Sequence, residues 1–242
     1  MNKPSLRGAG AWAAQSSEWL VLLLLLAASI PPVLIRRQSL TVVPTLNLLD
    51  GSWVLDICYK AAHGVWLGRD VLFTYGPLYE WLSSAPSRWI GPSTGTILAT
   101  SSMLPTLVSV LAIFVSSRLL LPKVSPWRRA LFLAVMLWTP PGVRLAICLF
   151  AFVVFVRLAD AVASRAAGIA LPALVAAILC LACFLVSADA GLYVIAAFLI
   201  CVAVTAIVQW KMPGAVIRLC ALLVAAGVGL ALLVVTTNAV MA

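Results

Sequence analysis

The feature that most constrains this chain is its series of apolar runs, several close to the roughly 20 residues an α-helix needs to cross a bilayer. They fall at about 18–35, 96–121, 167–187, 190–210 and 216–236, with a shorter pair at about 130–138 and 145–156. Inside lipid the backbone has to satisfy its own hydrogen bonds, so such runs are expected to be helical. The chain is 64% hydrophobic and 10% charged, with mean hydropathy +1.15, a balance that excludes an ordinary soluble domain. The expected fold class is all-α: a polytopic transmembrane helix bundle forming one module over 1–242.

Charge placement sets the span count. Thr139 to Arg144 reads TPPGVR, and two consecutive prolines break a helix or turn it sharply. The pair 130–138 and 145–156 is therefore either one kinked helix or a hairpin of two short helices. With a hairpin and an inside N-terminus, the inner side collects Lys3, Arg7, Arg118, Lys123, Arg128, Arg129, Arg157, Arg165, Lys211 and Arg218. A single kinked helix would move Arg157, Arg165, Lys211 and Arg218 outside, against the bias of short inner loops toward Lys and Arg. The expectation is about seven spans, beginning with an uncleaved span at 18–35, and a long outer loop at 36–95. The net charge of +9 then matches loops facing anionic lipid, and no nucleic-acid partner is implied.

Six cysteines occur, and all but Cys58 lie in apolar runs. Cys180 and Cys183 form a CxxC inside LPALVAAILCLACFLV, where membrane packing accounts for them. No disulfide framework follows. The chain stops at Met241-Ala242 directly after an apolar run, so a C-terminal part of a larger architecture is expected to be missing.

One polar stretch interrupts this pattern, LDGSWVLDICYKAAHGVWLGRDVLFTYGPLYEWL from Leu49 to Leu82. It holds Asp50, Asp56, Asp70, Glu80, Lys60, Arg69 and the single histidine, His63, interleaved with aromatics. Within 50–67, Trp53, Ile57, Ala61 and Val65 recur at four-residue spacing, while Ser52, Asp56 and Lys60 make a polar stripe. This predicts an amphipathic helix lying in the membrane interface, with Asp56 and Lys60 as an i,i+4 pair. Asp50 stands at its N-terminus, where a carboxylate caps the helix and meets the positive end of its dipole. A catalytic base at the membrane surface is compatible with that cap. His63 has no Cys or acidic neighbour at metal-ligand spacing and reads as an interfacial side chain. The Tyr75-Gly76-Pro77 run reads as a tight turn.

Asp50 beyond the first span, the juxtamembrane helix, and then Gly68-Arg69-Asp70-Val71-Leu72-Phe73-Thr74-Tyr75-Gly76-Pro77-Leu78 resemble the first outer loop of the GT-C class of polytopic glycosyltransferases. That class includes protein mannosyltransferases and the aminoarabinose-transferase type. The FTYGPL run is similar to that of a bacterial branch with this architecture. The resemblance is specific over 45–82 and extends more weakly, in span order, to 210. It implies transfer of a sugar from a polyprenyl-phosphate donor to an acceptor hydroxyl or amine, at the outer face of a bacterial inner (cytoplasmic) membrane. By position Asp50 takes the role of general base. Many members carry an acidic residue after this aspartate; here Gly51 follows, so no metal is expected.

The leaving phosphate wants a guanidinium fork, and Arg144 and Arg69 are the candidates. The plainer alternatives are a snorkelling interfacial arginine for Arg144 and a loop ion pair with Asp70 for Arg69. In the seven-span topology the first loop, TPPGVR and Ser187 to Gly191 (SADAG) open on one face. Asp50, Arg69, Asp70, Tyr75, Arg144 and Asp189 then form the candidate site, with Asp50 catalytic and the others binding substrate. The partners implied are membrane lipid and the lipid-linked sugar donor; no other cofactor is expected. The competing functions are a transporter or flippase for a lipid-linked saccharide and a non-catalytic membrane protein. A transporter requires broken helices and polar groups near mid-membrane. The acids here lie at span ends and in one loop, which favours interfacial chemistry.

Overall fold

The structure is a computed structural model. It describes residues 56–61, 63–65, 75–91, 100–138, 142–165 and 167–241, with a few positions within 19–27. The described residues are mainly helical with short turns between the helices, and the β-structure among them is an isolated bridge between Tyr75 and Ser187. The helices are α1 (Pro77–Ile90), α2 (Met103–Leu120), α3 (Pro126–Trp138), α4 (Val143–Ala163), α5 (Ala170–Val186), α6 (Ala188–Val208) and α7 (Ala215–Met241).

Four of these, α2, α4, α6 and α7, are long and apolar enough to cross a membrane, and α5 is an apolar helix just shorter. The protein is therefore an integral membrane protein. The expected short run at 145–156 is part of a full-length helix, because the periodic apolar sequence continues past Arg157 to Ala163. The α3 helix has 13 residues and rises about 20 Å, less than the roughly 30 Å of a hydrocarbon core.

Pro126–Trp138 and Val143–Ala163 are two separate helices. Arg157, in the lower half of α4, donates from Nε to the Leu119 carbonyl at the end of α2, at 3.1 Å. The last turns of α2 and α4 therefore lie side by side, and α3 must carry the chain back between them. One continuous kinked helix from Pro126 to Ala163 would instead place Arg157 about 45 Å along from its start.

The same logic orders the remaining ends. Arg218, on the first turn of α7, donates from Nε to Val162 O at 2.9 Å and from Nη2 to Ala163 O, closing the orphan carbonyls at the end of α4. Arg165 reaches Pro213 O at 3.2 Å, and Gln209 Nε2 donates to Asp160 Oδ1 at 2.7 Å. Arg129 caps Leu121 O at 2.8 Å. Trp19 also belongs here: its ring centroid is 5.5 Å from that of Phe114, and the Arg118 guanidinium lies 5.7 Å over it. Arg118, Lys123, Arg128, Arg129, Arg157, Arg165, Lys211 and Arg218 thus gather at one end of the bundle. The starts of α4 and α6 and the end of α5 lie at the other.

Between the ends, α4, α5, α6 and α7 close around Phe155, Cys183, Phe198 and Leu222 with many alanines, and the Phe155 and Phe198 rings sit 4.8 Å apart. Small residues let helix backbones approach where lipid provides no hydrophobic drive. Cys180 and Cys183 are buried here as free thiols, as membrane packing requires.

Candidate functional site

The end opposite the basic residues is built on an abrupt junction. The α5 helix stops at Val186, and α6 starts at Ala188. Ser187, fully buried and extended, is at once the C-cap of one and the N-cap of the other. Its amide donates to Cys183 O at 2.9 Å, and Gly191 N donates back to Ser187 O at 3.0 Å. The junction closes this tightly because residue 191 is glycine. A Cβ there would stand 2.3–2.5 Å from the Phe184 ring.

The tail of the first polar loop docks on this junction. Gly76 N donates to Val186 O at 2.9 Å, and Tyr75 and Ser187 pair as an antiparallel bridge. Here too glycine is required by contact, since a Cβ on Gly76 would lie 2.3 Å from Leu185 O. Pro77 then opens α1 at a position where its missing N–H costs nothing. The Tyr-Gly-Pro run is thus a strand-like contact followed by a helix start, where sequence predicted a tight turn.

Three of the six candidate site residues meet at this junction. Arg144, on the first turn of α4, is ion-paired through Nη2 to Asp189 Oδ2. Ser187 Oγ donates to the other oxygen, Oδ1. The Arg144 guanidinium lies 5.0 Å over the Tyr75 ring, a contact worth about 0.5–2 kcal/mol. The Arg144 side chain remains 34% exposed, and its Nε and Nη1 donors meet no partner among the described residues. Asp50, Arg69 and Asp70 lie outside the described residues.

The 50–67 helix is described in part. Residues 56–61 are helical, with Ile57, Cys58 and Ala61 buried and Asp56 exposed; Ser52, Trp53, Val54, Ala62 and Trp66 of the expected stripes lie outside the described residues. Lys60 Nζ lies 2.7 Å from Asp56 Oδ2. The helix ends before 67, in a turn at His63 and Gly64, where Gly64 takes φ 81°. Positive φ at that point terminates helices. His63 is exposed and spends Nδ1 on the Tyr59 carbonyl at 2.8 Å.

The α1 helix is absent from the sequence reading, which placed its residues in the outer loop. Its buried face is polar: Glu80, Ser83, Ser84 and Ser87, all fully buried. The i, i+3, i+4, i+7 spacing is a helical signal, carried here by polar side chains in place of the usual apolar ones. This seam adds Tyr79 and Glu80 to the site's surroundings. Tyr79 stacks on Tyr75 with centroids 4.4 Å apart. Burial, and then the neighbouring Tyr75, raise its hydroxyl pKa. Cys58 faces the same seam. Burial foremost, and then the Glu80 charge, push its thiol from 9.0 up to about 12, with Arg88 opposing.

No family model, curated protein or solved structure matches this chain.

Proposed function

We propose that this protein is a glycosyltransferase of the membrane. It moves a sugar from a polyprenyl-phosphate donor to an acceptor at the outer face, in a topology of about seven spans, 18–35 and α2 to α7. The observation that carries the reading is the docking of the first loop on the α5–α6 junction, which sets Tyr75 against Arg144 and Asp189. The gathering of eight cations at the opposite end supports an outward-facing site through the positive-inside rule, and a bacterial inner membrane fits the resemblance of the loop.

In this reading the acceptor O–H or N–H attacks the anomeric carbon. Asp50 takes the proton, the bond from that carbon to the phosphate oxygen breaks, and polyprenyl phosphate departs with the electron pair. The charge on the leaving phosphate falls to Arg144. Asp189, itself held by Ser187, takes one hydrogen of Nη2, which leaves one two-nitrogen edge of the guanidinium as a fork for phosphate oxygens. The membrane-embedded helices hold the polyprenyl chain nearby.

Binding of a short-chain polyprenyl phosphate to the purified protein in nanodiscs tests this. Arg144→Lys keeps the charge and loses the fork, so affinity is expected to fall about tenfold, the equivalent of one charge-assisted bond. Arg144→Ala should fall further, with both variants folded. Equal affinity in wild type and Arg144→Lys would favour a merely snorkelling arginine.

A further inference from the structure

The basic end carries more cations than its helix caps use. Among the described residues its one carboxylate is Asp160, already engaged by Gln209. Arg129, Arg157, Arg165 and Arg218 are tied to helix or loop carbonyls. Lys123, Arg128 and Lys211 make no hydrogen bond or ion pair among the described residues, and all three are exposed. Two of them follow an exposed tryptophan directly. Trp127 is 69% and Trp210 68% exposed, and Lys211 Nζ lies 6.0 Å over the Trp210 ring. At the opposite end the described charges balance: Asp56, Glu80 and Asp189 against Lys60, Arg88 and Arg144.

A tryptophan beside a free cation, at the end of an apolar helix, has a definite chemistry. The ring prefers the boundary between acyl chains and headgroups. The cation next to it then stands at phosphate depth, where an anionic leaflet attracts it. We propose that this end is a binding surface for anionic glycerophospholipid, with Lys123 and Arg128 at the α2–α3 turn and Lys211 at the α6–α7 turn holding the headgroup phosphates. The tryptophans set the depth, and the capping arginines supply field without being spent. A negatively charged headgroup is the occupant because, among the described residues, the one carboxylate of this end, Asp160, is engaged by Gln209 and leaves none to pair a zwitterion's ammonium.

The test uses the full chain in nanodiscs of mixed phosphatidylglycerol and phosphatidylcholine, with retained lipid counted by native mass spectrometry. Wild type is expected to retain phosphatidylglycerol over phosphatidylcholine. The triple variant Lys123→Gln, Arg128→Gln, Lys211→Gln should lose that preference at least about tenfold, since each surface cation contributes several-fold. It spares every capping arginine, so folding should persist, and Lys123→Arg with Lys211→Arg should keep the preference. Lys60→Gln, at the other end, should leave it unchanged. No preference in wild type, an unchanged preference in the triple variant, or displacement of the lipid by millimolar inorganic phosphate would each overturn the proposal.

Discussion

Arg144 and Asp189, 45 residues apart in the chain, form an ion pair across the first turns of two neighbouring helices. The α4 and α6 helices both begin at this end, so each helix start projects its first polar side chain into the same space. Both partners stay partly exposed, at 34% and 42%. Solvent therefore screens the pair, and its net contribution to stability should be small, about 0–1 kcal/mol. A double-mutant cycle of Arg144→Ala and Asp189→Asn, read from unfolding in detergent, is expected to give coupling within that range. Coupling of about 3 kcal/mol or more would mean a dry pair with a structural task, leaving little of Arg144 for a ligand.

The docking of the loop rests on Gly76. Gly76→Ala puts a methyl 2.3 Å from a backbone oxygen that cannot turn aside. It should cost about 1–3 kcal/mol as overpacking and detach the Tyr75 ring from Arg144. Gly142→Ala is the control, since a Cβ there meets nothing within 4 Å. Thermal unfolding of the two variants should differ clearly. Equal midpoints would contradict the close approach.

Cys58 gives the fold a pH dependence of known sign. The folded protein holds the thiol proton more tightly than the unfolded chain, with its pKa raised from 9.0 to about 12. Its stabilising effect is complete below about pH 9 and is lost as pH rises toward 12. The raised Tyr79 hydroxyl acts in the same direction. Wild-type melting temperature should decline from about pH 9 upward, and Cys58→Ala should decline less steeply. Parallel declines would show that Cys58 is not the titrating group.

Much of the scaffold was legible in the sequence, because bilayer thickness forces long apolar runs and leaves few alternatives. The expectation of two helices around TPPGVR rested on where Arg157, Arg165, Lys211 and Arg218 had to lie, and α3 and α4 are distinct helices. The convergence of Tyr75, Arg144 and Asp189 followed from the same topology. What escaped was α1. Its buried face is Glu80, Ser83, Ser84 and Ser87, and a search for apolar periodicity passes over polar periodicity. The junction at Ser187 was legible only as a turn. That one residue could end α5 and start α6 depends on Gly191 giving way to Phe184 and Gly76 to Leu185, contacts that only the folded chain reveals. The pairing of Arg144 with Asp189 likewise depends on helix rotation, which sequence spacing does not set.

The central claim is glycosyl transfer with Asp50 as base, and single-turnover release of polyprenyl phosphate from a labelled polyprenyl-phosphate sugar in proteoliposomes tests it most directly. Asp50→Asn retains a helix-capping side chain and removes the base. Wild type is expected to release product when acceptor is supplied. Asp50→Asn should be slower by roughly 100-fold or more, with donor binding preserved. Arg144→Lys should retain the base but bind donor weakly. Release by Asp50→Asn at the wild-type rate, or no release by wild type with any polyprenyl-phosphate sugar, would contradict the account.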